Sequence, residues 1–335
     1  MTRLLAGLTP LYASAVAAKN AVYDRGWARP RRLGWPVVSI GNLSVGGSGK
    51  TPLTMRLAEL LRERGVPIDV LSRGYGRRSG AIERVDPKGT AEEFGDEPLL
   101  IARSTGVPVV VGPSRYAAGV LAESSTPGPG LHLLDDGFQH RQLARDVDIV
   151  VLHRSDFTAR LLPAGRLREG FGSLRRAQIL VLREEDRDLE DMLRGRGLRQ
   201  PIWWMERQIE VPAVERVAGF CALARPEEFF SAVRASGVQV AAMRAWRDHH
   251  FYTEADAAEL IELRRQHEAE AFLTTEKDRV RLAPDVLRML ESAAPVHVAR
   301  LKVRLREEAA VMEQLCSLLP AAGGSPKSAS SQLRP

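Results

Sequence analysis

The string SVGGSGKT at residues 44–51 carries the sharpest chemical signal in the chain. Small residues allow consecutive backbone N–H groups to turn inward around phosphate oxygens, and a helix starting just after them adds its positive N-terminal end. Ser44, Val45, Gly46, Gly47, Ser48 and Gly49 would form the cradle. Lys50 would neutralise β- and γ-phosphates, and the Thr51 hydroxyl would bind Mg2+. The strict pattern has Gly where this chain has Ser44. Pro52 suits the first turn of a helix, where a missing N–H costs nothing. Such a loop serves kinases, switch GTPases and motors alike. The guanine-reading order Asn-Lys-x-Asp is not matched by Thr275-Glu276-Lys277-Asp278, where the lysine is misplaced, so the reading favours ATP.

Acids follow at three places. LHLLDDGFQH sets Asp135 and Asp136 at the end of an apolar strand, where a phosphate-loop protein presents its metal-facing acid. Asp-Asp-Gly also makes a strand-end turn unaided. GDEP at 95–98 opens a helix with Asp96 and Glu97, which as a pair complement the helix N-terminus. DHH at 248–250 reads either as an ordinary loop or as the source of a His that steers an Asp across a cleft. Phosphoryl transfer to a hydroxyl needs positioning, charge neutralisation and a proton acceptor, and such a pair supplies the last. SRGYGRR (72–78) and LLPAGRLREG (161–170) add arginines that suit phosphate contacts or a charged surface turn.

These residues need a scaffold, and the pattern supplies one. PVVSIG (36–41), VPIDVLS (66–72), VPVVVG (107–112), LHLLDD (131–136), VDIVVLH (147–153) and QILVLR (178–183) are strands, several apolar on both faces, as a helix-covered parallel sheet requires. Leu53, Leu57, Leu60 and Leu61 stripe a helix over 51–65 that Gly65 stops. The fold class is α/β: a P-loop NTPase-type parallel sheet with helices on both faces, plus a smaller second α/β domain. The segment 201–216 bridges to a second set built from strands at 217–224, 238–246 and 271–278, with helices near 226–236 and 253–268. The expected organisation is an interfacial segment at 1–35, a kinase domain at 36–205, a smaller domain at 206–319 and a disordered tail at 320–335.

Length and composition agree. At 335 residues the chain is long for one domain and comfortable for two. Lys+Arg is 48 against Asp+Glu 42, and nearly all the positive charge is Arg, which suits bidentate phosphate contact as well as it suits an Arg-favouring genome. Two cysteines, Cys221 and Cys316, are too few for a disulfide scaffold. Residues 4–18 form an apolar stretch too short to span a bilayer, followed by Lys19, Arg25, Arg29, Arg31 and Arg32. That order fits a helix resting on anionic headgroups, or one packed on the protein's own core.

In order, GNLSVGGSGKTP, LSRGYG, GDEPLLIA, DDGFQHRQLARDVDIVV, LLPAGRLRE, DHH and LTTEKD resemble the tetraacyldisaccharide 4′-kinase family of lipid A biosynthesis, from about residue 4 to 305. Phe138 stands where Leu is expected, and the family's Ala-Gly-Ile-Gly-x-Pro segment reads Cys221-Ala222-Leu223-Ala224-Arg225-Pro226. The resemblance implies transfer of the γ-phosphate of ATP to the 4′-hydroxyl of a tetraacyldisaccharide 1-phosphate, giving lipid IVA. It implies Asp96 as base with His249 as partner and Lys50 on the phosphates. Thr51, Asp135, Asp136 and Glu97 would surround Mg2+, and Arg73, Tyr75, Gln139, His140, Arg168 and Glu169 would meet the substrate. The implied partners are the acylated disaccharide phosphate and an anionic membrane surface, with no nucleic acid and no obligate protein partner. The implied place is the cytoplasmic face of a bacterial inner membrane, peripherally bound. The competing readings are a switch ATPase driving a partner protein and a soluble small-molecule kinase.

Overall fold

The computed structural model describes residues 7–47 and 49–320. Ser48, the first residues of the apolar N-terminal stretch and the tail from 321 lie outside the described residues. The helices that matter are α1 (Thr9–Asp24), α2 (Lys50–Glu63), α3 (Asp96–Thr105), α4 (Arg115–Ser125), α5 (Leu189–Gly195), α6 (Pro226–Ala235), α7 (Glu254–Gln266), α8 (Glu276–Arg279), α9 (Pro284–Ala293) and α10 (Glu308–Leu318). The strands are β1 (Val37–Asn42), β2 (Ile68–Ser72), β3 (Glu83–Arg84), β4 (Val109–Val111), β5 (Leu131–Asp135), β6 (Val147–Val151), β7 (Ile179–Arg183), β8 (Ile202–Glu210), β9 (Arg216–Cys221), β10 (Gln239–Ala245), β11 (Ala271–Thr275) and β12 (Val296–Leu305).

These strands join one twelve-stranded sheet in the order β10-β9-β11-β12-β8-β7-β6-β1-β5-β2-β4-β3. Every residue of β1, β2, β5, β6 and β7 is buried. The apolar runs read from the sequence therefore have cover on both faces. On one face α2, α3 and α10 pack Leu53, Leu57, Leu99, Ile101 and Leu315 into the largest core. On the other, α4 brings Ala118 and Ala122 against Leu33 and Leu134, and α5 brings Leu189 and Leu193 against Leu180 and Leu182. The sheet is parallel except where the short β3 meets β4 and where β8 meets β12.

The β8–β12 contact is where the long sheet changes strand direction. The first half of β12 runs parallel to β11, Val296–Ala299 against Phe272–Thr275. Its second half runs antiparallel to β8, Arg300–Leu305 against Glu210–Met205. Past it, α10 returns to α2, where Arg56 grips Glu308 through two hydrogen bonds of 2.9 and 2.6 Å. Sequence reading named neither β12 nor α10. The β12 stretch alternates arginines and lysine with apolar residues, so it lacks the continuous apolar run that marks the other strands.

At the sheet end opposite the carboxyl ends of β1 and β5, His132 is fully buried between two acids. Its Nδ1 lies 2.8 and 2.9 Å from the Asp69 oxygens and its Nε2 lies 3.2 Å from Glu123. Trp35 stacks on the ring at 5.0 Å, and its backbone N–H donates to Glu123 at 2.7 Å. Burial alone would lower the His132 pKa, but the Asp69 hydrogen bond and the two carboxylate charges raise it above its ordinary value. Burial also raises Asp69, so the pair favours holding a proton. A raised histidine contributes stability that is fully present below its unfolded pKa and is lost as pH rises through the folded one. The wild-type denaturation midpoint should therefore fall as pH climbs from about 6.5, and His132→Gln should flatten that fall. Identical slopes in the two proteins would assign the titration elsewhere.

Candidate active site

The phosphate loop leaves the carboxyl end of β1. Gly41 lets this end of the strand approach β5's exit closely: a Cβ there would lie 2.4 Å from the Phe138 Cβ. Phe138 is itself fully buried, with Arg176 over its ring at 4.5 Å. Gly46 and Gly49 adopt φ of 96° and 95°, conformations open to glycine, before α2 starts at Lys50. Lys50 Nζ sits 3.5 Å from Asp136. Arg168 reaches the same carboxylate, its Nη1 at 2.9 Å from both oxygens, and donates to Gln139 Oε1 at 3.2 Å. Asp136 is held in left-handed backbone at φ 50°, which costs a non-glycine residue about 1–2 kcal/mol. Burial would raise its pKa, yet Lys50 and Arg168 hold it below the ordinary carboxylate value.

Asp135, at the end of β5, is in the opposite state. Burial first, then the Glu97 and Asp136 charges, push its carboxyl up to about 7 against the pull of Lys50 and the Thr54 hydroxyl, which donates at 3.2 Å. Asp135, Asp136, Glu97 and Thr51 all line one cleft, and of these acids Asp135 alone is left without a cationic partner among the described residues: Asp136 pairs with Lys50 and Arg168, and Glu97 with Lys277. Oxygen donors of this kind suit a hard divalent cation that also draws ligands from a bound phosphate; among the described residues no group of three or more His, Cys, Asp or Glu could hold a metal ion without such help.

The third group crosses the molecule. Asp96 is the first residue of α3 and is buried. Its Oδ1 accepts from the Glu97 N–H at 2.9 Å, and its Oδ2 lies 2.9 Å from His249 Nδ1. Arg281, with no exposed side-chain surface, donates to the same Oδ2 from Nε at 2.8 Å and again from Nη2. Arg281 also donates to the Ala222 carbonyl at 2.8 Å, while Asp278 takes Tyr252 OH and the Ala222 N–H, both at 2.9 Å. Lys277 sits 3.2 Å from Glu97, 3.7 Å from Asp248 and 4.0 Å from Asp96. Burial raises the Asp96 pKa, but the His249 bond and the Lys277 and Arg281 charges more than offset it and keep the carboxylate ionised. His249 has φ 65° and packs its ring 5.4 Å from Tyr75.

A cleft of about 1230 Å³ joins these parts. Val45, Gly46, Gly47, Gly49, Lys50, Thr51, Glu97, Asp135 and Asp136 open into it, as do Arg73, Tyr75, Gln139, Arg168 and His249. Asp96 stands one hydrogen bond behind His249 rather than on the cleft wall. Ser44, His140 and Glu169 are not on that wall either. Ser44 is buried and bridges to Leu167. Glu169 accepts from Asn20 of α1 at 3.0 Å and from Arg176 at 2.9 Å. His140 is pushed down to about 4 by burial and by Arg115, Arg145, Lys19 and Arg73. Sequence reading missed Arg281 as a site residue. A buried cation leaves no local pattern, and its partner Asp96 is 185 positions away.

Removing one member of a buried ion pair strands the other. Arg281→Met should cost roughly 3–5 kcal/mol in urea unfolding and lower kcat with it. A loss under about 1 kcal/mol, the scale of an exposed pair, would show that Asp96 does not depend on Arg281.

Residues 1–320 match the family described as LpxK, tetraacyldisaccharide-1-P 4′-kinase. A tetraacyldisaccharide 4′-kinase of Koribacter versatilis (strain Ellin345) is 42% identical over 324 residues, covering 93% of this chain and 98% of that one. One from Chromobacterium violaceum is 38% identical over 328 residues, covering 94% and 92%. The crystal structure of the "apo" form of LpxK from Aquifex aeolicus in complex with ATP aligns with a TM-score of 0.75 at 32% identity, covering 95% of this chain and 99% of that one. On the family match over residues 1–320, the 42% identity to a curated relative and the shared fold, the chain belongs to the tetraacyldisaccharide-1-P 4′-kinase family.

Proposed function

We propose that this cleft transfers the γ-phosphoryl group of ATP to the 4′-hydroxyl of a tetraacyldisaccharide 1-phosphate, with the Asp96–His249 pair taking the hydroxyl proton. The observation that carries the assignment is the 2.9 Å contact between His249 Nδ1 and Asp96 Oδ2, made across 153 positions at the edge of the phosphate-loop cleft. Asp96 supplies the negative charge and fixes the ring, and His249 lines the cleft. Lys50 neutralises the β- and γ-phosphates, and Arg168 and Arg73 add charge where the transferred group gains it. Thr51, Asp135, Asp136 and Glu97 are the residues that would hold Mg2+ together with the phosphates, and the ion would supply charge neutralisation there. Arg73, Tyr75 and Gln139 face the sugar-phosphate end of the acceptor. His140, whose carbonyl accepts from Arg145 at 2.9 Å, and Glu169, held by Asn20 of α1 and Arg176, support that region from behind. We also propose residues 36–205 as the nucleotide domain and 206–319 as a smaller α/β domain, with the change of strand direction at β8 and β12 supporting a boundary there.

The acceptor's acyl chains stay in a bilayer, so the enzyme must come to it. No residue of α1 is buried, and Leu11, Ala15 and Ala18 form an exposed stripe at helical spacing. The helix is fixed to the body by polar contacts: Tyr12 OH to the Arg168 carbonyl at 3.0 Å, and Arg141 to the Asn20 carbonyl and to Asp24 at 3.0 and 2.7 Å. Among the described residues no helix is long and apolar enough to cross a membrane. Arg25, Arg29, Arg31 and Arg32 follow the stripe. This arrangement supports peripheral binding to the anionic cytoplasmic face of a bacterial inner membrane, with no obligate protein partner.

Incubation of labelled ATP with a tetraacyldisaccharide 1-phosphate in detergent micelles should label the lipid. Asp96→Ala should lower kcat by about 100-fold or more while Mg·ATP binding holds. Hydrolysis of ATP without lipid labelling would refute the acceptor, and a near-normal kcat would retire Asp96. In flotation with anionic vesicles, wild type should rise with the lipid and a chain lacking residues 1–30 should not. Equal soluble fractions would remove the interfacial role of α1.

A further inference from the structure

The phosphate loop is gripped through its carbonyls by two arginines that come from different parts of the fold and that also line the cleft. The segment 166–168 runs antiparallel to the loop's leading limb: Val45 N donates to the Arg166 carbonyl at 2.9 Å and Arg168 N to the Leu43 carbonyl at 2.6 Å. The Arg166 side chain then doubles back on the Val45 carbonyl, with Nε at 3.3 Å and Nη2 at 3.0 Å. Two residues on, the Gly47 carbonyl accepts from Arg225 Nη1 at 3.2 Å. Arg225 belongs to the loop between β9 and α6, 178 positions away. Gly46 lies between the two grips, and a Cβ there would sit 2.4 Å from Arg166 Nη2 and 3.4 Å from the Ala224 Cβ.

Arg225 is itself positioned. Its Nη2 donates to Ser155 Oγ at 3.1 Å, and its Nη1 reaches Glu228 at 3.3 Å. Glu228 also accepts from Arg183 at 3.1 Å and Arg207 at 3.2 Å, with His153 Nε2 at 3.5 Å. One carboxylate thus anchors three guanidinium groups along the cleft.

A loop that receives an anion must aim its amides inward, which crowds like ends of peptide dipoles together and turns carbonyls outward. Charged donors on those outward carbonyls offset the crowding and strengthen the peptide dipoles behind the inward amides. We infer that Arg166 and Arg225 are positioning residues that hold the phosphate loop in its anion-receiving shape before nucleotide arrives. Because Arg225 comes from beyond the β8–β12 crossing, the order of the loop depends on how that part of the chain sits over the cleft. The inference rests on the phosphate-loop reading of residues 44–51 and adds the residues that set its readiness.

The test is titration of the full-length protein with Mg·ADP and Mg·ATP, alongside steady-state kinetics in both substrates. Arg225→Ala and Arg166→Ala should each weaken both nucleotides by about tenfold, the scale of one lost charged hydrogen bond. The nucleotide KM should rise by a larger factor than kcat falls, and the KM for the lipid acceptor should stay. Arg225→Lys, which restores one charged donor, should recover part of the loss. Thermal unfolding of each variant separates a positioning role from general damage. Unchanged nucleotide affinity in both alanine variants, with or without a lower melting temperature, overturns the inference. Absence of nucleotide binding in the wild type overturns the phosphate-loop reading itself.

Discussion

A buried carboxylate must be paired, and the partner chosen for Asp96 fixes the geometry of this protein. Arg281 is wholly enclosed, and it spends its guanidinium on Asp96, Asp278 and the Ala222 carbonyl at once. Those three belong to α3, α8 and the residue just after β9, so one cation joins the helix beside the phosphate loop to the elements beyond the β8–β12 crossing. Two charges withdrawn from water are stable only when their hydrogen bonds are complete, which leaves little freedom in how the two sides of the cleft meet there. His249 is held by the same carboxylate, with its ring against Tyr75. The cation that locks the architecture therefore also holds the carboxylate that orients the His249 ring.

The same economy of charge divides the acids by task. Asp135, Asp136 and Glu97 lie close together, yet Asp136 is neutralised by Lys50 and Arg168 whereas Asp135 is left short of positive charge. One carboxylate keeps the lysine in place, and the other retains an appetite for a cation. Neighbouring groups whose environments push their pKa values apart take different roles in one site. Asp96, crowded by Arg281, Lys277 and His249, stays ionised and hands its influence to the ring in front of it.

Arginine does much of the joining. Arg141 ties α1 to the body, Arg166 and Arg225 hold the phosphate loop, Arg168 braces Asp136, and Arg56 fastens α10 to α2. A planar fork with five donors can satisfy carbonyls and carboxylates together, which a lysine in the same places could not. The arginine-rich composition thus reads as internal scaffolding at these positions as much as surface charge.

The sequence alone determined the elements and the nucleotide chemistry. Apolar runs set the parallel strands, the Leu53–Leu61 stripe set α2, and SVGGSGKT marked the glycine-rich turn between β1 and α2, because each of these signals is local: periodicity, turn residues and a contiguous loop. The ordered motifs also carried the family. What only the tertiary structure decided are the contacts between distant positions. These include the reach of Arg281 to Asp96, the return of β12 along β8, the grip of Arg225 on Gly47, and the turning of Glu169 towards α1 and away from the cleft. A partner that far along the chain has no period and no spacing to reveal it. It is set by which surfaces the sheet brings together, and by the cost of leaving a charge unpaired once they meet.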